Sequence, residues 1–271
     1  MKVRSVVVSA LAAFLVALAL VTAAGCVQTT GASAPAHFVF PDLKPALAAW
    51  RASLPRWKLE DRNALATSLG WGQVSRGKTT SKRIALTFDA GADAGATAKI
   101  LDTLKDAELH CTFFITGQFA TQYPDLVKRI AAEGHELGNH SWSHPHFPEL
   151  TQAQVSSEVT RTELSVKKLT GLDTKPYFRF PYGAGSTALV KQLNSMGYIG
   201  VLWTFDTLDS EGAKADEIRS RVARYAVPGA ICLMHCGSTE ESTALPGVIS
   251  DLQNSGYKIV TLTEVLLPDA K

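Results

Sequence analysis

The chain has little of what marks most other kinds of protein. Its 271 residues hold only four cysteines, Cys26, Cys111, Cys232 and Cys236, and no C-x-x-C pair. If Cys26 is modified, three remain, and an odd number does not describe a disulfide framework. Cys232 and Cys236 bracket His235, a spacing a zinc site can use. Small buried residues or one incidental disulfide is the preferred reading. Charge is also nearly absent as a net quantity, at +2, and no Lys/Arg run stands out. That argues against a nucleic-acid partner. No G-x-G-x-x-G or Walker sequence follows any apolar run, which disfavours nucleotide binding.

What is there begins with an export signal. Lys2 and Arg4 precede an apolar run through Val21, a basic region followed by a hydrophobic one. Residues 1–25 are read as a signal peptide. Ala23-Ala24-Gly25-Cys26 resembles a bacterial lipoprotein cleavage site, with Cys26 as the lipidated N-terminus. Plain signal cleavage or an uncleaved anchor are the alternatives. All three place the remainder outside the cytoplasm, and contact with a membrane is expected only through this lipid or anchor. About 245 residues then remain, enough for one large domain or a domain plus an arm. Residues 26–36 are rich in Thr, Ala, Gly, Ser and Pro and read as a tether. Residues 37–80, broken by Pro41, Pro45 and Pro55, read as an N-terminal arm with a helix over 42–53. The arm either packs on the main domain or carries a separate contact surface, and its tryptophans are read as packing.

From residue 81 to 268 the pattern is regular. Apolar strands are predicted at 83–88, 111–116, 135–138, 177–180, 198–204, 230–234 and 257–260. Helices are predicted at 93–108, 118–133, 151–170, 186–196, 216–225 and 243–255, with Thr151 as an N-cap and a closing turn at 263–267. Val155, Val159, Leu164 and Leu169 are read as the apolar face of the third helix. Seven strands alternating with helices imply a parallel sheet with right-handed crossovers, either open and doubly wound or closed as a barrel.

The polar residues just past these strands carry the functional signal. Asp89 follows the first strand; His140 and His144 follow the third. Arg179 and Tyr182 end the fourth, Asp206 and Asp209 follow the fifth, and His235 follows the sixth. In parallel α/β folds these ends form one face, and that face holds the active site. Taken singly, Asp89 reads as a helix cap, Arg179 as an ion-pair residue and His235 as a core histidine. Together, two histidines, a carboxylate and a water suit a metal site with an open position. A free carboxylate can take a proton from water, a second histidine can protonate a leaving group, and an arginine can hold the base ionised. The residue types point to metal-assisted hydrolysis of an amide or ester.

Five ordered segments carry a family resemblance: Thr87-Phe-Asp-Ala-Gly91, His140-Ser-Trp-Ser-His144, Arg179-Phe-Pro-Tyr-Gly183, Asp206-Thr-Leu-Asp209 and Leu233-Met-His235. They resemble the five motifs of the polysaccharide deacetylases, the NodB-homology or carbohydrate esterase family 4 group. The resemblance implies an α/β fold, a distorted (β/α) barrel of about seven strands with an N-terminal extension. It also implies removal of acetyl groups from N- or O-acetylated sugars, with a divalent metal as cofactor, zinc first and cobalt or manganese as alternatives. An acetylated polysaccharide is the implied partner. For an exported protein that is peptidoglycan first, with chitin oligomers, poly-N-acetylglucosamine and acetylated xylan open. By position, Asp89 would be the catalytic base, Arg179 its orienting partner, and His140 and His144 metal ligands. The Tyr182 backbone N–H would stabilise the oxyanion, an effect of roughly 3 kcal/mol when one such donor is lost. His235 would be the general acid, with Asp209 the better match for its acidic partner and Asp206 the alternative. Leu233 would line the acetyl pocket.

Three positions depart from the pattern. Ala90 stands where a second aspartate supplies the third metal ligand. Asp93 is placed to reach back from the first helical turn, water can fill the gap instead, and Asp93 reads equally well as a helix-start acid. Phe180 replaces a proline, a change expected to affect packing. Ser210 replaces an aromatic residue, which would open one wall of the groove. His37, His110, His135 and His146 match no motif and are read as ordinary surface or core residues. A non-catalytic glycan-binding protein is the competing reading.

Overall fold

The computed structural model describes residues 59–269, Ala92 apart. The signal peptide, Cys26, the tether, His37 and the arm as far as residue 58, with its expected helix, lie outside the described residues. The described part of the arm forms α1 (Leu59–Ser68) and β1 (Gln73–Val74). There follow β2 (Arg83–Ala90), α2 (Thr97–Asp106), β3 (Thr112–Ile115), α3 (Gly117–Gln122), α4 (Pro124–Ala132) and β4 (Glu136–Asn139). The second half runs α5 (Gln152–Thr170), β5 (Tyr177–Phe178), α6 (Thr187–Ser195), β6 (Ile199–Val201), β7 (Phe205–Asp206), α7 (Ala215–Tyr225), β8 (Ala230–His235), α8 (Thr239–Asn254), β9 (Lys258–Val260) and α9 (Leu262–Leu266).

All the ladders are parallel, and the sheet order is β1-β6-β5-β4-β3-β2-β8-β7, with β9 also on β2. The two ends of that order meet in the chain. Only residues 202–204 separate β6 from β7. The Leu202 N–H donates to the Val74 carbonyl on one side, and the Thr204 N–H donates to the Ile231 carbonyl on the other. Arg76, just past β1, bridges to Ala230 of β8. The sheet therefore curls on itself into the distorted barrel, with helices outside. Among the described residues there are nine strands. Seven were expected because β1 falls within the arm and because the run at 198–204 splits into β6 and β7, where the chain steps from one end of the sheet to the other.

Alternation sorts the side chains into two apolar layers. Leu86, Phe88, Ala90, Cys232 and Met234 face outward beneath the helices. Ala85, Phe114, Tyr177, Ile199 and Ile231 face the interior, joined there by Leu65 and Ala66 of α1. Phe88 and Phe113 stack at 5.0 Å between centroids, and full burial of one such side chain contributes about 2–3 kcal/mol. Cys111, Cys232 and Cys236 are buried free thiols. The bland reading of the cysteine spacing is the one that fits.

Local chemistry moves some boundaries. The helix expected over 118–133 breaks at Tyr123 (φ −127°, ψ 55°), because Pro124 has no N–H to continue the ladder. The one expected from Asp93 starts at Thr97, since the Asp93 carboxylate accepts the Gly95 N–H at 2.8 Å and turns the chain first. Thr151 and Gln154 form a capping box on α5. On that helix Val155, Val159, Thr162 and Val166 are buried, whereas Leu164 is 61% exposed. Steps of four, three and four residues keep to one face, and position 164 falls off it. The Arg62 guanidinium of α1 reaches under the barrel, where Nη2 donates to the Leu137 carbonyl at 3.0 Å and Nε lies 3.6 Å from Glu136.

Candidate active site

Asp89 and His235 are register partners at the C-terminal ends of β2 and β8. Residues two apart on a strand share a face. Thr87 and Asp89 therefore line the barrel interior beside Leu233 and His235. Ala90 turns the other way, into the outer apolar layer, so the position of the missing aspartate is filled by packing.

Arg179 lies one residue beyond β5 and is fully buried. Its Nη1 donates to Asp89 Oδ1 at 2.7 Å and its Nη2 to Thr87 Oγ1 at 2.9 Å. Its guanidinium carbon stands 4.1 Å from the Phe114 ring centroid and 5.8 Å from that of Trp203. Burial by itself would raise the Asp89 carboxyl. The charges of Arg179, His140 and His235 and the Arg179 hydrogen bond outweigh it and hold Asp89 below the usual carboxylate range. Asp89 is thus an ionised base at neutral pH.

His140 and His144 sit on a loop between β4 and α5. Its shape comes from Ser141 (φ 69°) and His144 (φ 58°), conformations that are uncommon for residues with a Cβ and need outside support. The support is Glu158 of α5, whose Oε2 accepts the N–H groups of Trp142 and Ser143 at 2.9 and 2.8 Å. Gly117 completes it, since a Cβ there would stand 2.0 Å from the Trp142 ring. The imidazole centroids are 4.9 Å apart. His140 Nδ1 donates to the Arg179 carbonyl at 2.8 Å, which leaves Nε2 as a bare lone pair. Burial pushes the His140 pKa down to about 4, against the pull of Asp89. Burial lowers that of His144 too. Both rings are neutral ligand-type imidazoles.

The His140 Nε2 lone pair faces Asp89 Oδ2 at 3.4 Å. Two acceptors at that separation suit a cation beside them, and the donor types fit a divalent ion. Asp93 is not brought to this pair. It is exposed, held in its own turn, and pressed against Gly237, where a Cβ would come within 2.9 Å of its own. Among the described residues no group of three or more His, Cys, Asp or Glu is arranged to hold a metal ion. Asp93 is not a helix-start acid either: α2 has Ala96 as its N-cap and no acid in its first turn, and Asp93 instead shapes the turn that precedes the helix.

His235 is fixed by Asp209. Its Nδ1 donates to Asp209 Oδ1 at 2.7 Å and its backbone N–H to Oδ2 at 3.0 Å. Burial would lower the His235 pKa, but the Asp209 hydrogen bond and the charges of Asp89, Asp209 and Asp206 raise it instead. Asp206 contributes its charge but no hydrogen bond to the ring. It accepts the Leu208 N–H at 2.8 Å and shapes the loop, in which Leu208 adopts φ 62°. Leu233, 4% exposed, lies in register between Thr87 and Asp206 on the floor of the site. Tyr182 has φ 59° and is 70% exposed, with its ring 4.6 Å from that of His144. Phe180 packs at 5.0 Å on Phe178, and Ser210 is exposed.

Sequence reasoning missed several contributors. Trp203 stacks near Arg179 and would stand 3.0 Å from a Cβ at Gly183. His146, read as ordinary, lies 6.3 Å from the Tyr182 ring. Nothing in the local pattern singles out Glu158, because its partners are backbone N–H groups on a loop fifteen or more residues earlier.

The profile of the polysaccharide deacetylase family matches residues 76–201. The peptidoglycan-N-acetylmuramic acid deacetylase PdaA of Bacillus subtilis is 36% identical over 195 residues, 70% of this chain and 73% of that protein. The chain belongs to the polysaccharide deacetylase family. A peptidoglycan-N-acetylglucosamine deacetylase of Bacillus cereus is 36% identical over 213 residues, covering 76% and 77% of the two chains. The solved structure of a CE4 family pseudoenzyme from Bacillus anthracis superposes with a TM-score of 0.70 at 28% identity, covering 73% of this chain and 70% of its own. A mutant of that pseudoenzyme has restored enzymatic activity. The polysaccharide deacetylase fold is thus found with and without activity.

Proposed function

We propose that the protein removes acetyl groups from N-acetylated sugars of peptidoglycan, outside the cytoplasm, with a divalent metal held by His140 and His144. The observation that carries this reading is the opposite tuning of two register partners. Asp89 is held below the usual carboxylate range and His235 above the usual imidazole value, side by side. Groups pushed apart in this way suit a base and an acid of one reaction.

The ion, zinc first, would supply Lewis-acid polarisation of the acetyl carbonyl and a more acidic water. The residues do the rest. Asp89 takes a proton from the water as its oxygen bonds to the carbonyl carbon, and Arg179 keeps the carboxylate aimed. The Tyr182 N–H donates to the oxyanion. His235, steadied by Asp209, protonates the sugar nitrogen as the C–N bond breaks, giving acetate and a free amine. Leu233 is the apolar floor for the methyl group. An O-acetyl ester fits the same steps with oxygen leaving.

Purified protein should release acetate from N-acetylated peptidoglycan when supplied with zinc, cobalt or manganese. Absence of acetate with all three metals across peptidoglycan, chitin oligomers, poly-N-acetylglucosamine and acetylated xylan overturns the reading. The glycan-binding alternative draws on one observation, the outward-facing Ala90 with Asp93 held elsewhere. It predicts glycan retention without acetate or bound metal.

A further inference from the structure

Behind the Asp209–His235 pair lies a carboxyl group that the proposed mechanism does not use. Glu241 is on the first turn of α8 and fully buried. Its Oε1 has no hydrogen-bond partner. Its Oε2 lies 3.1 Å from Thr207 Oγ1. The same hydroxyl lies 3.2 Å from Asp209 Oδ1 and 3.2 Å from the Leu233 carbonyl.

Counting donors decides the arrangement. A threonine hydroxyl has one hydrogen and two lone pairs. With Glu241 ionised, three acceptors would surround that single hydrogen, and a bare carboxylate oxygen would be buried beside Asp209. With Glu241 protonated, its O–H donates to Thr207, and Thr207 is free to donate to Asp209. Asp209 itself receives the His235 N–H and is the ionised member. A neutral acid also tolerates an unpartnered carbonyl oxygen far better than an anion does.

We propose that Glu241 is a positioning residue that carries a proton at neutral pH and, through Thr207, fixes the carboxylate of Asp209 on His235. The relay runs Glu241 to Thr207 to Asp209, ending at His235 Nδ1. Burial first, then the charge of Asp209, pushes the Glu241 pKa up to about 8, with the Thr207 hydrogen bond and His235 opposing. The charged and titratable groups that face it are Asp206 at the end of β7, Asp209 from the loop that follows, His235 and the Cys232 thiol from β8, and the Cys236 thiol just past it. When Glu241 ionises it becomes an acceptor, takes the Thr207 hydrogen, and leaves Asp209 one donor short. His235 should therefore titrate in two linked steps, since its pair is coupled to a third group.

The consequence for catalysis rests on the deacetylase reading; the protonation state does not. The test is an NMR titration of the His235 ring in full-length, 15N-histidine-labelled protein, assigned by its loss in H235N. Wild type should show two inflections, the upper one near the Glu241 transition. E241Q, whose amide can donate to Thr207 and cannot ionise, should show one. Superimposable titrations of wild type and E241Q overturn the proposal. At pH 7, kcat should be several-fold higher in E241Q than in E241L, with KM equal in the two. Equal kcat in folded samples of both also overturns it. A wild type that releases no acetate defeats the deacetylase reading alone, because the titration is read without substrate.

Discussion

Arg179 and Asp89 form a buried ion pair 2.7 Å long, between an arginine with no exposed surface and a carboxylate 5% exposed. The second terminal nitrogen of Arg179 is held by Thr87, two residues along the same strand. The fork geometry therefore ties β5 to β2 and aims the carboxylate into the site.

Removing one member of such a pair strands the other. Arg179→Met should cost about 3–5 kcal/mol of stability in urea unfolding. The double variant with Asp89→Asn should recover part of that loss, because no unpaired charge is left. Equal stability of the single and double variants contradicts an ionised Asp89.

The two acidic candidates beside His235 should separate cleanly. Asp209→Asn should lower kcat about 100-fold or more, in the range of a lost general acid. Asp206→Asn keeps an acceptor for Leu208 and should stay within about fivefold of wild type. The fold raises the His235 pKa. The pair therefore stabilises fully below the unfolded histidine value of about 6.5 and loses that contribution as pH rises through the folded value. The melting temperatures of wild type and Asp209→Asn should differ more at pH 6 than at pH 9.

At Tyr182 the backbone and the side chain have separate roles. Glycine adopts φ 59° without the roughly 1–2 kcal/mol penalty of a residue bearing a Cβ. Tyr182→Gly should keep its N–H, retain kcat, raise KM by losing the exposed ring, and melt no lower than wild type. A large drop in kcat with unchanged KM would show that the ring, not the N–H, serves the reaction.

Metal content should follow the histidines. His140→Ala and His144→Ala should each lose most bound zinc, measured by elemental analysis after dialysis, and a chelator should abolish activity reversibly. Asp93→Ala should leave zinc content unchanged and cost about 1 kcal/mol from the lost turn. Zinc loss in Asp93→Ala would return that residue to the ligand set.

Much of the fold and the site is legible along the chain. Apolar runs announce β2, β3 and β8, and the placing of Asp89, His140, Arg179 and His235 at the ends of the first, third, fourth and sixth such runs announces a shared face. The legible part depends on local periodicity and on residue type at strand ends. What escapes depends on neighbours distant in sequence. Leu164 is apolar enough for the core, and only the phase of α5 turns it outward. Asp93 stands close enough in sequence to replace a ligand at Ala90, and only the turn it forms with Gly95 holds it aside.

The sequence by itself determined the parallel α/β plan, the motif residues and the chemical types at the site. The tertiary structure decided that Asp209 rather than Asp206 holds His235, that Ala90 faces the outer layer, and that Glu241 stands behind the pair. The reason is physical. Chain order assigns side chains to strand ends, but a hydrogen bond depends on where folding brings two atoms to within about 3 Å, and that is set by register, burial and packing across the whole barrel.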